Sequence, residues 1–157
     1  MVEQLSQEEI QKRIELMKQN CIFCKIIKGE IPAKKVFEDD ICIAILDINP
    51  ASKGHLLLMP KEHYMMMPVV PDEVLGHLGV ISKSLAELLK STFNCKDVSI
   101  FIANGAAAGQ QSQHFMIHII PSYEGDELNF KLDGEKLSSE ELSSLASKIK
   151  ERLLKGH

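Results

Sequence analysis

The chain has 157 residues, of which 45% are apolar and 25% charged, the composition of one globular domain that can bury a core. Its net charge of -4 argues against a general nucleic-acid-binding surface, because phosphate contacts require clustered Lys and Arg. No apolar run is long enough to cross a membrane, and the N-terminal segment is charged, so we expect a cytoplasmic protein without a membrane segment.

Three segments carry helix signals. Ser6–Glu9 fits a capping box, and apolar residues at helical spacing follow it, which predicts a helix that ends near Asn20. The longest amphipathic pattern runs from Asp72 to Phe93. A second capping box at Ser138–Glu141 predicts a last helix near the C-terminus.

Five short apolar stretches between turn signals predict β-strands. They cover residues 35–37, 41–46, 55–59, 98–102 and 114–120. Since these strands surround one long helix without a regular βαβ alternation, the sequence predicts an α+β fold with a mostly antiparallel sheet.

The fifth predicted strand has an unusual face. Strand alternation places His114, Met116 and His118 on one side, and three apolar side chains on the other, namely Phe115, Ile117 and Ile119. Two imidazoles on one strand face, with a methionine between them, indicate a functional site rather than packing alone.

Cys21 and Cys24 are separated by two residues, a spacing that lets two thiolates chelate one tetrahedral ion. His63, after the third strand, and His114 could complete a Cys₂His₂ set for zinc. In a reducing cytosol a disulfide is not expected. A redox pair and two simply packed thiols remain alternatives.

The segment Gly105–Gln110 precedes the histidine strand and consists mainly of small residues. Such loops let backbone N–H groups approach a phosphate, although a flexible connector is the commoner explanation. Asp47 follows the second strand, where a carboxylate can accept hydrogen bonds from ligand hydroxyls or cap a turn.

Taken together, these motifs resemble the histidine triad (HIT) family. The matching segments occur in the family's order at Cys21–Ile27, Gly29–Lys34, Phe37–Asp40, Leu46–Pro50, Lys53–His63 and His118–Pro121. The resemblance divides the chain into an N-terminal helical extension (residues 1–20), a HIT domain (21–126) and a C-terminal helical extension (127–157). It implies a HIT-like fold with a five-stranded, mostly antiparallel sheet in each subunit of a homodimer, together with one long helix and the extra terminal helices.

The resemblance also implies a purine nucleotide ligand such as AMP or GMP. The base pocket would correspond to Phe23, Ile26, Ile31, Ile45 and Ile48, and the ribose would be bound by Asp47. The phosphate-binding residues would be Gly109, Gln110, Gln111 and Ser112, with His118 beside them. His55 would line the catalytic site, and the zinc-containing branch of the family implies zinc at Cys21, Cys24, His63 and His114.

The family's reaction is nucleotidyl transfer, in which the middle histidine attacks the α-phosphorus and water then cleaves the nucleotidyl-histidine. Met116 occupies that position here, and a thioether cannot form the intermediate. Ala103 stands where the family usually has Asn, and Gln111 stands where a small hydroxyl residue is common. We therefore expect a nucleotide-binding protein whose phosphoramidate or nucleotidyl hydrolysis is impaired.

Two alternatives remain open at this point. The protein could be a slow or repurposed nucleotide hydrolase that uses His118 or water directly. It could also be a zinc-stabilised interaction protein without a nucleotide ligand, in which the terminal helices form the partner surfaces.

Overall fold

The structure is a computed structural model that describes residues 6–125 and 134–156. The chain divides into two compact units, residues 1–127 and 128–157. Within the described residues, the strands and the first three helices all belong to the first unit. The domain boundary predicted between residues 126 and 127 lies outside the described residues.

Four α-helices occur in the described residues: α1 (Gln7–Asn20), α2 (Ile22–Ile27), α3 (Asp72–Phe93) and α4 (Ser139–Leu154). Both predicted capping boxes are confirmed, because Ser6 and Ser138 each exchange hydrogen bonds with the glutamate three residues later. The long helix has the predicted bounds. None of the helices in the described part of the chain combines the length and apolar character needed to cross a membrane.

Five strands form one sheet: β1 (Lys35–Glu38), β2 (Cys42–Leu46), β3 (Leu56–Pro60), β4 (Asp97–Phe101) and β5 (Ile117–Ser122). Their order is β1-β2-β3-β5-β4, and every neighbouring pair is antiparallel. The predicted α+β class and the five-stranded sheet are confirmed, with β1 and β4 at the two edges.

The central strands are buried on both faces, which explains their continuous apolar sequences. One face packs on α3 through Leu78, Leu85 and Leu89. The other face forms a second cluster with α2, whose buried members are Ile26, Ile43, Ile45, Leu57 and Met59. The sheet therefore separates an α3-side core from an α2-side core.

The histidine strand begins later than the sequence predicts. β5 starts at Ile117 rather than at His114, because the preceding backbone N–H groups bond elsewhere. The N–H of Phe115 donates to the carbonyl of Tyr64 at 2.6 Å, and the N–H of His114 donates to Ser112 Oγ at 3.2 Å. The predicted start of the strand is therefore wrong, although the side chains still alternate between the two faces.

Candidate functional site

The α2-side core brings together most of the apolar residues that the resemblance assigns to a base pocket. Phe23, Ile26, Ile31 and Ile45 all belong to this cluster. Met116 packs against the same cluster. The fifth candidate, Ile48, is 90% exposed in the turn after β2, so it does not join the other four.

A pair of histidines lies between β3 and β5. His55 Nε2 is 3.0 Å from His118 Nδ1, and the two ring centroids are 5.2 Å apart. The N–H of Ala51 donates to His55 Nδ1 at 3.1 Å. His55 must then carry its proton on Nε2 and donate it to His118 Nδ1, which assigns the second proton to His118 Nε2.

Asp47 lies beside this pair at the end of β2. Its Oδ1 accepts a hydrogen bond from the N–H of Asn49 at 2.8 Å, and its Oδ2 is 3.5 Å from His55 Nδ1. The latter distance is too long for a strong hydrogen bond, so we assign His55 Nδ1 to Ala51 instead. Asp47 thus caps the turn with one oxygen and leaves the other oriented toward the histidine pair.

Burial keeps the two histidines neutral. Desolvation lowers the pKa of His118, and the nearby Asp47 carboxylate opposes this shift only in part. Desolvation likewise lowers the pKa of His55; the Asp47 carboxylate opposes this shift in part, and His118 adds slightly to it. Near neutral pH the pair therefore offers hydrogen bonds rather than positive charge.

The loop before the histidine segment is held in shape by Gln110. Its side-chain Oε1 accepts a hydrogen bond from the N–H of Gly105 at 2.8 Å, and its Nε2 donates to the carbonyls of Met65 and Ser112 at 2.6 and 2.7 Å. Gly109 adopts a φ of 90°, a left-handed conformation that favours glycine. The amide group of Gln110 is therefore occupied within the loop and organises the backbone around it.

Two other loop positions are better placed to meet an anion. Within the described residues, the backbone N–H groups of Gln111 and Ser112 have no hydrogen-bond partner. Ser112 Oγ meanwhile accepts the hydrogen bond from His114. Ala103, just before this loop, is 8% exposed and presents only a methyl group.

The four residues proposed to bind zinc meet at one point. Cys24 Sγ is 3.3 Å from His63 Nδ1, and Cys21 Sγ is 3.5 Å from His114 Nδ1. Cys24 Sγ is also 3.7 Å from His114 Nδ1. Tetrahedral zinc with ordinary Zn–S and Zn–N bonds separates sulfur and nitrogen ligands by about 3.6 Å. The spacing of these atoms therefore fits the ion.

The orientation of the His114 ring also fits zinc binding at this cluster. Its Nε2 lies 2.9 Å from the carbonyl of Pro60, so Nε2 carries the proton and Nδ1 presents a lone pair to the cysteines. Burial lowers the pKa of His114 to about 4, which keeps the ring in the neutral form that metals require. His63 Nε2 is buried and has no partner among the described residues.

The Cys24 thiol stays protonated unless a cation binds it. Burial, followed by the neighbouring Cys21, raises the pKa of Cys24 to about 12. A divalent cation would reverse this effect, since coordination deprotonates a thiol outright. Cys21 reaches the cluster from the junction between α1 and α2, where its Sγ accepts a hydrogen bond from the N–H of Cys24 at 3.5 Å.

Sequence reasoning missed the Pro60 carbonyl as the partner that orients His114. A backbone acceptor carries no residue-type signal, and 54 positions separate the two residues. It also missed α2, because cysteine is not among the residues that usually cap a helix.

Residues 28–125 match the HIT domain family model. An uncharacterized HIT-like protein from Methanocaldococcus jannaschii is 49% identical over 106 residues, which are 68% of this chain and 81% of the relative. Adenosine 5′-monophosphoramidase from Candida albicans is 35% identical over 141 residues, 87% of this chain and 93% of that protein. A solved zinc-bound histidine triad family protein from Mycobacterium smegmatis is 30% identical with a TM-score of 0.69, covering 86% of this chain and 99% of its own.

Proposed function

The chain belongs to the HIT domain family, and we propose that it is a purine nucleotide-binding member whose nucleotidyl chemistry is impaired at Met116. The observation that carries this proposal is that Asp47 lies beside the His55–His118 pair, while Met116, at the position of the family's nucleophile, packs on the α2-side apolar cluster. The binding groups and the orienting histidines are present, whereas Met116 supplies no nucleophilic nitrogen.

Three features support nucleotide binding. The α2-side cluster supplies an apolar surface for a base at Phe23 and Ile31, which are both partly exposed. Asp47 Oδ2 can accept hydrogen bonds from ribose hydroxyls. The N–H groups of Gln111 and Ser112 can donate to phosphate oxygens. A nucleoside monophosphate such as AMP or GMP matches this set of partners.

The chemical step would lack its nucleophile. A thioether sulfur has no proton to give up and cannot form the phosphoramidate bond on which the family's reaction depends. His118 Nδ1 already accepts a hydrogen bond from His55, so only its Nε2 faces away from the pair. This arrangement suits His118 to donate a hydrogen bond to a phosphoryl oxygen, which is stabilisation without covalent catalysis.

We further propose that Cys21, Cys24, His63 and His114 hold a structural zinc ion. Four protein ligands close the coordination shell, so the ion would stabilise the fold rather than activate water. The ion would join α2 to the β3 and β5 ends of the sheet. The zinc-bound relative from Mycobacterium smegmatis supports this assignment.

We also propose that the protein forms a homodimer and is located in the cytoplasm. The edge strand β4 exposes Ile100 by 50%, and α3 exposes Val80 by 64%. Exposed apolar side chains on an unpaired edge strand favour pairing with a second copy.

Two measurements test the function together. Calorimetric titration with AMP should show binding, while incubation with adenosine phosphoramidate should show little release of AMP. Rapid turnover by the wild-type protein would contradict the impaired chemistry. If no purine nucleotide binds or raises the melting temperature, the zinc-stabilised interaction protein becomes the better explanation, since any ligand of the native state must stabilise it.

The slow-hydrolase alternative keeps one specific observation in its favour, which is the preserved His55–His118 hydrogen bond. Any residual hydrolysis by this route should disappear in His118→Ala. Survival of the activity in that variant would exclude a role for His118 in it.

A further inference from the structure

A second group of side chains that could hold a metal ion lies outside the proposed nucleotide and zinc sites. Asp39, Cys42 and His77 each offer one ligand atom, and these atoms all lie within 4.8 Å of one another. Asp39 comes from the turn between β1 and β2, Cys42 is the first residue of β2, and His77 is on α3. Three elements of the fold therefore contribute one ligand each.

The carboxylate of Asp39 is fixed before any ligand arrives. Its Oδ1 accepts hydrogen bonds from the N–H groups of Ile41 and Cys42 at 2.8 and 2.7 Å. Its Oδ2 is 2.6 Å from His77 Nε2. One oxygen thus anchors the group to the hairpin, and the other is directed toward the imidazole, as in metal sites whose ligands are oriented by outer hydrogen bonds.

Two of the three groups are partly exposed to solvent. The side chains of Asp39 and His77 are 28% and 32% exposed, while Cys42 is fully buried. Lys61 is the nearby cation, and Glu38 Oε1 lies 2.9 Å from its Nζ and offsets its charge. An ion entering past Asp39 and His77 would meet the thiol at the bottom of the site.

The order of the three groups argues against a catalytic triad. In such a triad the histidine lies between the nucleophile and the carboxylate, so that it can remove the nucleophile's proton. Here Asp39 interacts with both Cys42 and His77, and Cys42 is closed to substrates. Burial, followed by the Asp39 charge, also raises the pKa of Cys42 to about 12, the opposite of an activated thiol.

We propose that Asp39, Cys42 and His77 form a second binding site for a thiolate-seeking divalent cation, zinc being the best fit. Carboxylate, thiolate and imidazole are all zinc ligands, and three protein ligands leave a fourth position for water. On binding, Cys42 loses its proton to solvent as the metal–sulfur bond forms. The proton that His77 Nε2 donates to Asp39 is exchanged through solvent for one on Nδ1, which frees the Nε2 lone pair for the metal. Zinc would separate the nitrogen and oxygen ligands by about 3.4 Å, so the partly exposed His77 must withdraw by roughly 0.8 Å.

Such an ion would fasten α3 to the β1–β2 hairpin. Without metal, the same residues form an Asp–His contact at the surface. The second site shares no ligand with the Cys21 cluster, so the two proposals can fail independently.

The test is the zinc content of the untagged full-length protein after dialysis against a zinc buffer. His77→Gln and Asp39→Asn should each bind one equivalent less than the wild type. Lys83→Gln, an exposed change on the same helix, is the matched control and should bind as much as the wild type. Equal zinc content in the wild type and in both site variants would overturn the proposal.

Cobalt substitution provides a readout specific for the thiolate. Cobalt bound at this site should show a sulfur-to-metal charge-transfer band, and this component should disappear in Cys42→Ser. Cys95→Ser is the matched control, because Cys95 is also buried but lies outside the cluster. If Cys42→Ser folds poorly, His77→Gln serves as the second variant. Loss of the charge-transfer component in His77→Gln supports the site, and an unchanged spectrum contradicts it.

Discussion

His55 Nε2 and His118 Nδ1 are joined by a hydrogen bond of 3.0 Å that links the residue before strand β3 to strand β5 across the candidate site. The backbone N–H of Ala51 fixes the direction of this bond, since it occupies the other nitrogen of His55. Both rings therefore have assigned tautomers, and both must be neutral for the arrangement to persist. Protonation of His118 at Nδ1 would replace an acceptor with a donor and break the contact.

We expect acid to weaken the native protein through this pair. Burial lowers the pKa of both histidines below the usual value of 6.5, so the unfolded chain binds more protons than the native state at pH values just below 6.5. The free energy of unfolding should then fall as the pH decreases through that range. NMR titration of the two imidazoles should give midpoints below 6.5, and midpoints at or above 6.5 would contradict a buried, neutral pair.

Asp47→Asn should weaken the binding of AMP by about tenfold or more, because a hydrogen bond to a charged group contributes roughly 1.5–3 kcal/mol. The loss should be smaller for 2′-deoxy-AMP, which lacks one of the hydroxyls that Asp47 is proposed to bind. Calorimetry on both nucleotides measures the difference. Asp40→Asn in the hairpin turn is the control, and an equal loss for both nucleotides would assign Asp47 to the turn alone.

Met116→His should increase adenosine phosphoramidate hydrolysis by a factor on the order of 100 or more, since it supplies the nucleophilic nitrogen that methionine lacks. Combining Ala103→Asn with Met116→His should raise the hydrolysis rate further. Met116→Leu keeps the apolar volume without a nucleophile and should remain as slow as the wild type. A wild-type rate close to that of Met116→His would show that the reaction does not need this position.

Cys24→Ser should release the zinc proposed at the Cys21 cluster and lower the melting temperature. A loss of about 2 kcal/mol corresponds to a decrease of roughly 4–8 °C for a chain of this size. Metal analysis and calorimetry on the same sample measure both effects. Cys95→Ser changes another buried thiol outside the cluster, and it should leave the metal content unchanged.

Ile100→Lys should convert the proposed homodimer into a monomer, because it places a charge on the exposed edge of β4. Val36→Lys is the matched change on the opposite edge strand, where Val36 is 44% exposed. Sedimentation equilibrium distinguishes the two variants. A dimer that survives Ile100→Lys but dissociates in Val36→Lys would place the interface at β1.

The local features of the fold could be predicted from the sequence. The two capping boxes and the amphipathic pattern of α3 depend on residues within one helix, and each gave the correct element. The start of β5 could not be predicted in this way. It depends on Phe115 donating to a carbonyl of Tyr64, 51 residues earlier in the chain, which no local pattern encodes.

The candidate sites show the same difference between local signals and long-range contacts. The two-residue spacing of Cys21 and Cys24 is a local signal, and the structure brings both to His63 and His114. Asp39 and Cys42 have the same spacing, but His77 reaches them only because α3 crosses the face of the sheet. The helical pattern around His77 therefore carries no signal of its contact with Asp39.

Cys21 is the C-cap of α1 and the N-cap of α2, so a single residue joins the two helices and also belongs to the metal cluster. Lys18 adds an ion pair to Glu62, next to His63. With zinc held by Cys21, the first helix would keep only the Lys18–Glu62 pair as an attachment whenever the metal left, and faster protease cleavage within residues 7–20 would then report metal loss without any spectroscopic probe.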